Sequence, residues 1–340
     1  MGKKMSIKEI AKLSGVSVST VSRVINDNGR FSEDTRQRVL KTIKKYNYQT
    51  NTLAKGLRMR RSNTIGIIVP DLSNTFFSSL VEKMENQFFS KNYSTIICDT
   101  GRNSDKEEAY IRMLEAKLTD GLIVISGKKT FDTNILSRPM PVVCIDRKPK
   151  GKKTLFVSSN HYQGAVIATT ELLKAGTQPT LFKVSRNSSS ILDRIRGFKD
   201  TMKKMGAELH NSSIISLSSD YRAGSDDRRL EIRNKLRKLI NADKLPLGIF
   251  ATSDTLAADI MIAARDLHLS IPGDLKIIGF DDAPISRYCY PQLTTIRQDI
   301  SQIASQASQH LINAINNTDD DAEDSEDTII DVQLVERSTV

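Results

Sequence analysis

Residues 7–26 read IKEIAKLSGVSVSTVSRVIN. Ser6 and Glu9 make the S-x-x-E pattern that opens a helix, and Ile7, Ile10 and Ala11 follow at helical spacing. Ser14-Gly15-Val16 breaks that helix, and Ser17 can cap a second one with Val21, Val24 and Ile25 on one face. Two helices joined by a short glycine-containing turn form a helix-turn-helix, whose second helix fits the DNA major groove with its first residues at the base edges. The outward positions of that helix are short, hydroxylic or basic: Ser17, Val18, Ser19, Thr20, Ser22 and Arg23. Spacing alone also admits a small helical domain with a surface arginine. After the polar break 26–30, Ser32 caps a third helix with Glu33 and Asp34 in its first turn, as the helix dipole prefers. Val39, Leu40, Ile43 and Tyr46 give it an apolar face.

Charge supports a nucleic-acid role for this head. The 340-residue chain carries a net +10, unevenly placed: residues 1–62 hold 15 Lys/Arg against 4 Asp/Glu, whereas the other 278 residues hold 35 against 36. A basic head on a neutral body points to a polyanion bound by the head. A membrane surface is the competing partner, but the head lacks the Trp/Phe/Leu face of an interfacial helix. No run approaches the length of a membrane span, and Met1-Gly2-Lys3-Lys4 leads into no apolar signal-peptide core. Cys98, Cys144 and Cys289 are odd in number and widely spaced, which predicts free thiols and a cytoplasmic location.

From Thr64 onward, short β-branched runs alternate with helical patterns. Strands are expected at 64–69, 94–98, 121–125, 142–146, 155–158, 180–184, 213–217, 248–252, 275–280 and 293–297, with a last strand at 329–335. Helices are expected at 76–91, 106–117, 163–175 and 254–267. Continuous apolar strands imply burial on both faces, and strand–helix alternation implies parallel βαβ units. So many strands exceed one ordinary sheet, so the fold class is an all-α head followed by an α/β core of two doubly wound parallel-sheet lobes. The acidic run 319–327, DDDAEDSED, reads as a solvated loop rather than a metal site.

The string G-V-S-x-x-T-V-S-R-V-I-N, with S-x-x-T-R at Ser32–Arg36 and Y-x-x-N at Tyr48–Asn51, resembles the lac repressor family of bacterial regulators. The resemblance extends along the whole chain. The segment 51–57, NTLAKGL, is similar to that family's hinge helix, and 64–70, TIGIIVP, to the first strand of its ligand-binding core. Thr252-Ser253-Asp254, the run IGFDD at 278–282 and LTTI at 293–296 follow at the expected distances. The resemblance implies a helix-turn-helix domain at 1–50, a hinge at 51–62 and a periplasmic-binding-protein-like core at 63–340. The first lobe would take 63–160 plus 292–322, and the second 161–291 plus 323–340. It also implies a homodimer on a pseudopalindromic operator, with DNA affinity controlled by a small sugar or sugar phosphate. A phosphocarrier-protein corepressor, as some relatives use, stays open. Weak scaffold similarities (Ile96-Ile97-Cys98, Met113-Leu114-Glu115-Ala116) lean toward the sucrose- and fructose-type repressors.

The same resemblance assigns roles. Val18, Ser19 and Arg23 take the base-reading positions, Arg23 by a bidentate contact to guanine. Ser17, Thr20, Ser22, Asn26 and Arg30 are phosphate positioners. Asn51, Lys55, Leu57 and Arg58 belong to the hinge, with Leu57 as an apolar wedge in the minor groove. In the cleft between lobes, Arg194 and Asp281 are the expected polar anchors for ligand hydroxyls, the alternative being a plain interlobe salt bridge. Phe76 or Phe77, Tyr221, Asp146 and Ser253 complete the expected effector site. Asn160 and His161 depart from a common Asp-Asn pair, which leaves their role open.

Other classes fit less well. The chain has no phosphate-loop or dinucleotide-binding glycine run and no nucleophile elbow, so no enzyme is expected. His161, His210, His268 and His310 lack metal-ligand spacing, so no metal or cofactor is expected. A solute-binding transport protein would share the core fold but not the basic head.

Overall fold

The protein, seen here in a computed structural model, is described over residues 5–48, 61–127, 130–150, 155–218, 222–242, 245–316 and 327–340. It divides into two units, Met1–Ser62 and Asn63–Val340. The first contains α1 (Ile7–Ser14), α2 (Val18–Ile25) and α3 (Glu33–Lys45). The Ser6 hydroxyl accepts from the Glu9 amide while the Glu9 carboxylate accepts from the Ser6 amide, a reciprocal cap that satisfies two donors at the start of α1. Gly15 ends α1 at φ +64°, a conformation that costs a side-chain-bearing residue more. Ile10, Ala11, Val21, Val24 and Val39 form the small core that holds the three helices together.

The second unit is built from β1 (Thr64–Val69), α4 (Thr75–Ser90), β2 (Ser94–Asp99), α5 (Ser104–Ala116), β3 (Gly121–Ile125), β4 (Thr130–Asp132), β5 (Val142–Ile145), β6 (Lys148–Lys150) and β7 (Leu155–Ser159). It continues through α6 (His161–Lys174), β8 (Gln178–Val184), α7 (Ser189–Lys204), β9 (Ile214–Leu217), α8 (Asp226–Ala242), β10 (Leu247–Ala251) and α9 (Asp254–Asp266). It ends with β11 (Leu275–Asp281), α10 (Ile285–Tyr288), β12 (Thr294–Gln298), α11 (Ile300–Asn316), β13 (Thr328–Ile330) and β14 (Val332–Val335). Two six-stranded sheets result, in the orders β13-β7-β5-β3-β1-β2 and β14-β12-β11-β10-β8-β9. Every pair in them is parallel except β12 with β14. β4 and β6, not foreseen from the sequence, pair in a small third sheet.

The strand partners move the expected lobe boundaries. β12 pairs with β11 and therefore belongs to the second lobe, whereas β13 pairs with β7 in the first. The chain thus changes lobe after β7, after β12 and between β13 and β14. The run 329–335, read as one strand, is split at Asp331 between two sheets. Of the acidic run 319–327, only Asp327 falls within the described residues.

The second lobe depends on a close helix crossing. At Gly197 of α7 a Cβ atom would lie 2.4 Å from the Tyr162 carbonyl oxygen of α6. Backbone cannot swing aside as a side chain can, so Gly197→Ala is expected to cost about 1–3 kcal/mol by forcing the helices apart. Denaturant unfolding checks this; an unchanged midpoint would mean that α6 and α7 are not held at this distance.

Candidate functional site

In the head, the Ser17 hydroxyl accepts from the Thr20 amide at 3.1 Å and lies within 2.8 Å of the Ser19 and Thr20 hydroxyls. Capping at Ser17 starts α2 at Val18, which puts Val18 and Ser19 in its first turn, exposed. Arg23 is exposed on the same helix, while Thr20 and Ser22 are half-buried. Asn26 ends α2, its side-chain amide donating to the Ser22 carbonyl at 2.7 Å. Arg30 is exposed in the following loop. That loop contains Gly29, φ +98°, where a Cβ would come 3.3 Å from Arg23 Cδ. The glycine therefore lets the loop lie along the Arg23 stem, a support that no motif announced. Of the expected DNA contacts, Asn51, Lys55, Leu57 and Arg58 lie outside the described residues.

In the second unit, Asp146, Arg194 and Asp281 are brought to one place, at or just beyond the carboxyl ends of β5 and β11 and on α7. Such strand ends are where open α/β sheets present their ligand sites. All three are buried. Between them stands His161, the first residue of α6, whose Nε2 is 2.8 Å from Asp146 Oδ1 and whose Nδ1 is 3.2 Å from an Arg194 terminal nitrogen. Arginine cannot accept a hydrogen bond, so His161 Nδ1 accepts from Arg194 and Nε2–H donates to Asp146. Arg194 also donates to the Thr252 carbonyl and stacks over the Phe280 ring at 3.6 Å. Its separation from Asp281 is 3.8 Å, an ion pair rather than a hydrogen bond. Both partners belong to the second lobe, so this is not an interlobe bridge. Gln298 donates to the Asp281 carboxylate at 2.7 Å.

Asp146 joins the two lobes. Its carboxylate accepts from Ser158 at 2.7 Å and from His161, and its carbonyl accepts from the Ser189 hydroxyl of α7 at 2.7 Å. Asp146 has φ +53° and Asp281 φ +119°, backbone conformations that non-glycine residues adopt at a cost. Burial raises the Asp146 pKa, but His161, Ser158 and Arg194 outweigh it and hold the carboxyl below its ordinary range. Burial dominates at Asp281 and, with Asp146 nearby, pushes it up to about 7 against the opposing Arg194 and Gln298. Asp254, buried at the start of α9, is raised well above its ordinary value by burial and by Asp281, although Thr295 and the Ala283 amide hydrogen-bond to it. Arg194 is lowered by burial, against Asp281, Asp146 and Asp254.

Three polar atoms in or beside this cluster are buried without a hydrogen-bond partner among the described residues: Arg194 Nε, Gln298 Oε1 and Ser159 Oγ. Buried polar atoms are ordinarily satisfied, so these mark where a further polar group fits. Of the other expected residues, Phe76, Phe77 and Ser253 have structural roles. Phe76 and Phe77 pack edge to face in the hydrophobic core of the first lobe. Ser253 caps α9, accepting from the Leu256 amide at 3.3 Å. Tyr221 lies outside the described residues. His161, Gln298 and Phe280 are the participants that sequence reasoning did not assign; Phe280 at least stands inside the IGFDD run.

Two family models match the chain: the periplasmic binding protein-like domain over residues 169–340 and the bacterial regulatory proteins of the lacI family over residues 6–51. The ribose operon repressor of Halalkalibacterium halodurans is 33% identical over 315 residues, 91% of this chain and 90% of that protein. The sucrose operon repressor of Streptococcus mutans is 34% identical, covering 92% and 93%. A solved regulator from Alkaliphilus metalliredigens, complexed with D-xylulofuranose, is 28% identical with a TM-score of 0.69, covering 82% of this chain and 98% of its own. No described helix is long and apolar enough to cross a membrane.

Proposed function

The chain belongs to the lacI family of bacterial regulatory proteins, and from that premise we propose that it is a cytoplasmic repressor of a carbohydrate-utilisation operon. Its effector is a sugar or sugar phosphate held between the two lobes. The observation that carries the effector reading is the buried cluster around Arg194, with three polar atoms lacking partners among the described residues. Sugar hydroxyls both donate and accept, so they satisfy an arginine Nε–H and a glutamine carbonyl oxygen together. A charge-assisted pair such as Arg194 and Asp281 binds adjacent hydroxyls more strongly than neutral groups would. Relatives named for the ribose and sucrose operons, and one solved with a pentulose, support the same chemistry.

The head reads a pseudopalindromic operator as a homodimer, since one helix-turn-helix spans only a few base pairs and two-fold symmetry of protein and site go together. Val18 meets a thymine methyl, Ser19 a base edge and Arg23 a guanine, while Ser17, Thr20, Ser22, Asn26 and Arg30 hold phosphates. Asn51, Lys55, Arg58 and the wedge Leu57 act in the hinge. Effector binding changes operator affinity by favouring one arrangement of the lobes; a coupling of about 1–3 kcal/mol is typical.

Gel shift with genomic fragments, repeated with a sugar panel, tests this reading. Retention of no fragment would remove the operator role, and bands unmoved by every sugar and sugar phosphate would remove the effector class. Arg23→Ala is expected to cost about 1–3 kcal/mol and to relax base preference at one position per half-site. A binding-site selection that returns the parent's base profile would contradict the role of Arg23.

A further inference from the structure

Asp146 and Arg147 are neighbours in the corner between β5 and β6, and their side chains find partners in different places. The Asp146 carboxylate meets His161 and Ser158 at the lobe junction, whereas Arg147, 2% exposed, runs back into the first lobe. Its two terminal nitrogens donate to the two carboxylate oxygens of Glu107 on α5, at 3.0 and 3.1 Å. Its Nε donates to the Thr130 carbonyl of β4 at 3.0 Å, and the guanidinium lies 5.2 Å from the buried Phe131 ring. Glu107 is buried as well. A guanidinium that meets both oxygens of one carboxylate is fixed in plane and direction, which a lysine ammonium is not.

Stability is a weak reason for such a pair. Taking two charges out of water offsets much of their attraction, and well-packed apolar residues in their place are often as stable. What the pair does provide is geometry. It ties the corner after β5 to α5 and to β4 by three hydrogen bonds, one residue beyond Asp146. Asp146 has φ +53°, a conformation that a non-glycine residue keeps only where its surroundings over-determine it. The second lobe repeats the arrangement: Asp281, φ +119°, is followed by Asp282, whose carboxylate is held by Arg297 at 2.8 Å and by Arg337. Each of these positive-φ aspartates thus has an ion-paired neighbour on its carboxyl side.

We propose that the Glu107–Arg147 pair aims Asp146 across the lobe junction, which makes both of them positioning residues of the cleft. Without the pair the corner loses what fixes its backbone. The Asp146 carboxylate then no longer meets His161 Nε2 in register, nor does its carbonyl meet the Ser189 hydroxyl. This junction is the same whichever ligand the cleft takes, so the role of the pair stands apart from the effector's identity.

The His161 imidazole reports on the junction. NMR of the full-length protein labelled at its histidine nitrogens sees four imidazoles, at His161, His210, His268 and His310, and His161→Gln identifies the signal of the first. In the parent the His161 proton is expected on Nε2 and slow to exchange with water. The double variant Glu107→Leu/Arg147→Met removes both members of the pair, so its thermal melt should stay near the parent's. The His161 proton should nevertheless exchange at least about tenfold faster, as expected when a hydrogen bond to a charged group is lost. Arg147→Lys keeps a cation opposite Glu107 and decides the matter if the double variant does not fold. Its ammonium lacks the planar fork that holds both carboxylate oxygens and the Thr130 carbonyl, so the same proton should again exchange faster. An exchange rate unchanged from the parent's in the folded variant would overturn the positioning role and leave an ion pair internal to the first lobe. A His161 proton on Nδ1 in the parent would overturn it as well, because Asp146 would then have no His161 donor to be aimed at.

Discussion

Operator affinity is expected to fall about 10³- to 10⁵-fold as salt rises from roughly 50 to 200 mM. The head supplies the reason: 15 of its 62 residues are Lys or Arg against 4 acids, on each chain of a dimer. A dimer that neutralises about 6–10 phosphates releases as many condensed counterions, and log affinity then drops with log salt by about 0.9 per phosphate. Arg30 is exposed in the loop after α2. Arg30→Gln should flatten the slope by about 0.9 for each phosphate that Arg30 neutralises, once on each chain, with the base profile unchanged. Arg23→Ala should do the opposite, changing the profile more than the slope. Fluorescence anisotropy over a salt series separates these effects. A slope near zero for the parent would mean that the basic head does not meet the DNA backbone, and the operator reading would fail with it.

How far the sequence disclosed this molecule depends on the kind of information each part needs. The strands 64–69 and 121–125 were readable residue for residue because strands buried on both faces carry near-continuous apolar runs rich in β-branched residues. The crossings between lobes were not readable, since lobe membership is a matter of pairing. Thr294–Gln298 and Thr328–Ile330 are both short stretches that open on β-branched residues, and only their partners β11 and β7 send them to different sheets. Asp331, between β13 and β14, is the single residue at which a continuous pattern changes sheet. In the cleft, Arg194 and Asp281 were legible through the motifs around them. His161 was not, because its role exists only once Asp146 from one lobe and Arg194 from the other flank its ring. Phe76 and Phe77 were ambiguous for another reason: an aromatic at helical spacing looks alike whether it faces a ligand or the core, and both pack in the core of the first lobe.

Arg194→Met is expected to be the most damaging substitution in the second unit, and its damage should grow with pH. Methionine preserves much of the length and apolar surface but removes the only cation in contact with the buried Asp281 carboxylate among the described residues. Breaking a buried ion pair from one side costs about 3–5 kcal/mol, mostly the penalty of the charge left behind. The pH dependence follows from Asp281. Its folded pKa, already up at about 7, lies above the ordinary 3.8 because burial outweighs Arg194 and Gln298. An acid whose pKa is raised on folding binds more protons in the folded state, so stability falls as pH rises from the ordinary value to the folded one and then levels off. In the parent the contribution of Asp281 to that fall ends near pH 7. Without Arg194 the folded pKa of Asp281 rises further, so above pH 7 the variant should lose stability faster than the parent, by up to about 1.4 kcal/mol per pH unit from this group. Asp146, which Arg194 helps hold below its ordinary range, adds to the loss in the variant at neutral pH. Urea unfolding of both proteins at pH 5, 7 and 9 measures the gap. A gap that widens steadily places the Arg194–Asp281 ion pair at the energetic centre of the cleft; parallel curves would show that the two charges do not act on each other.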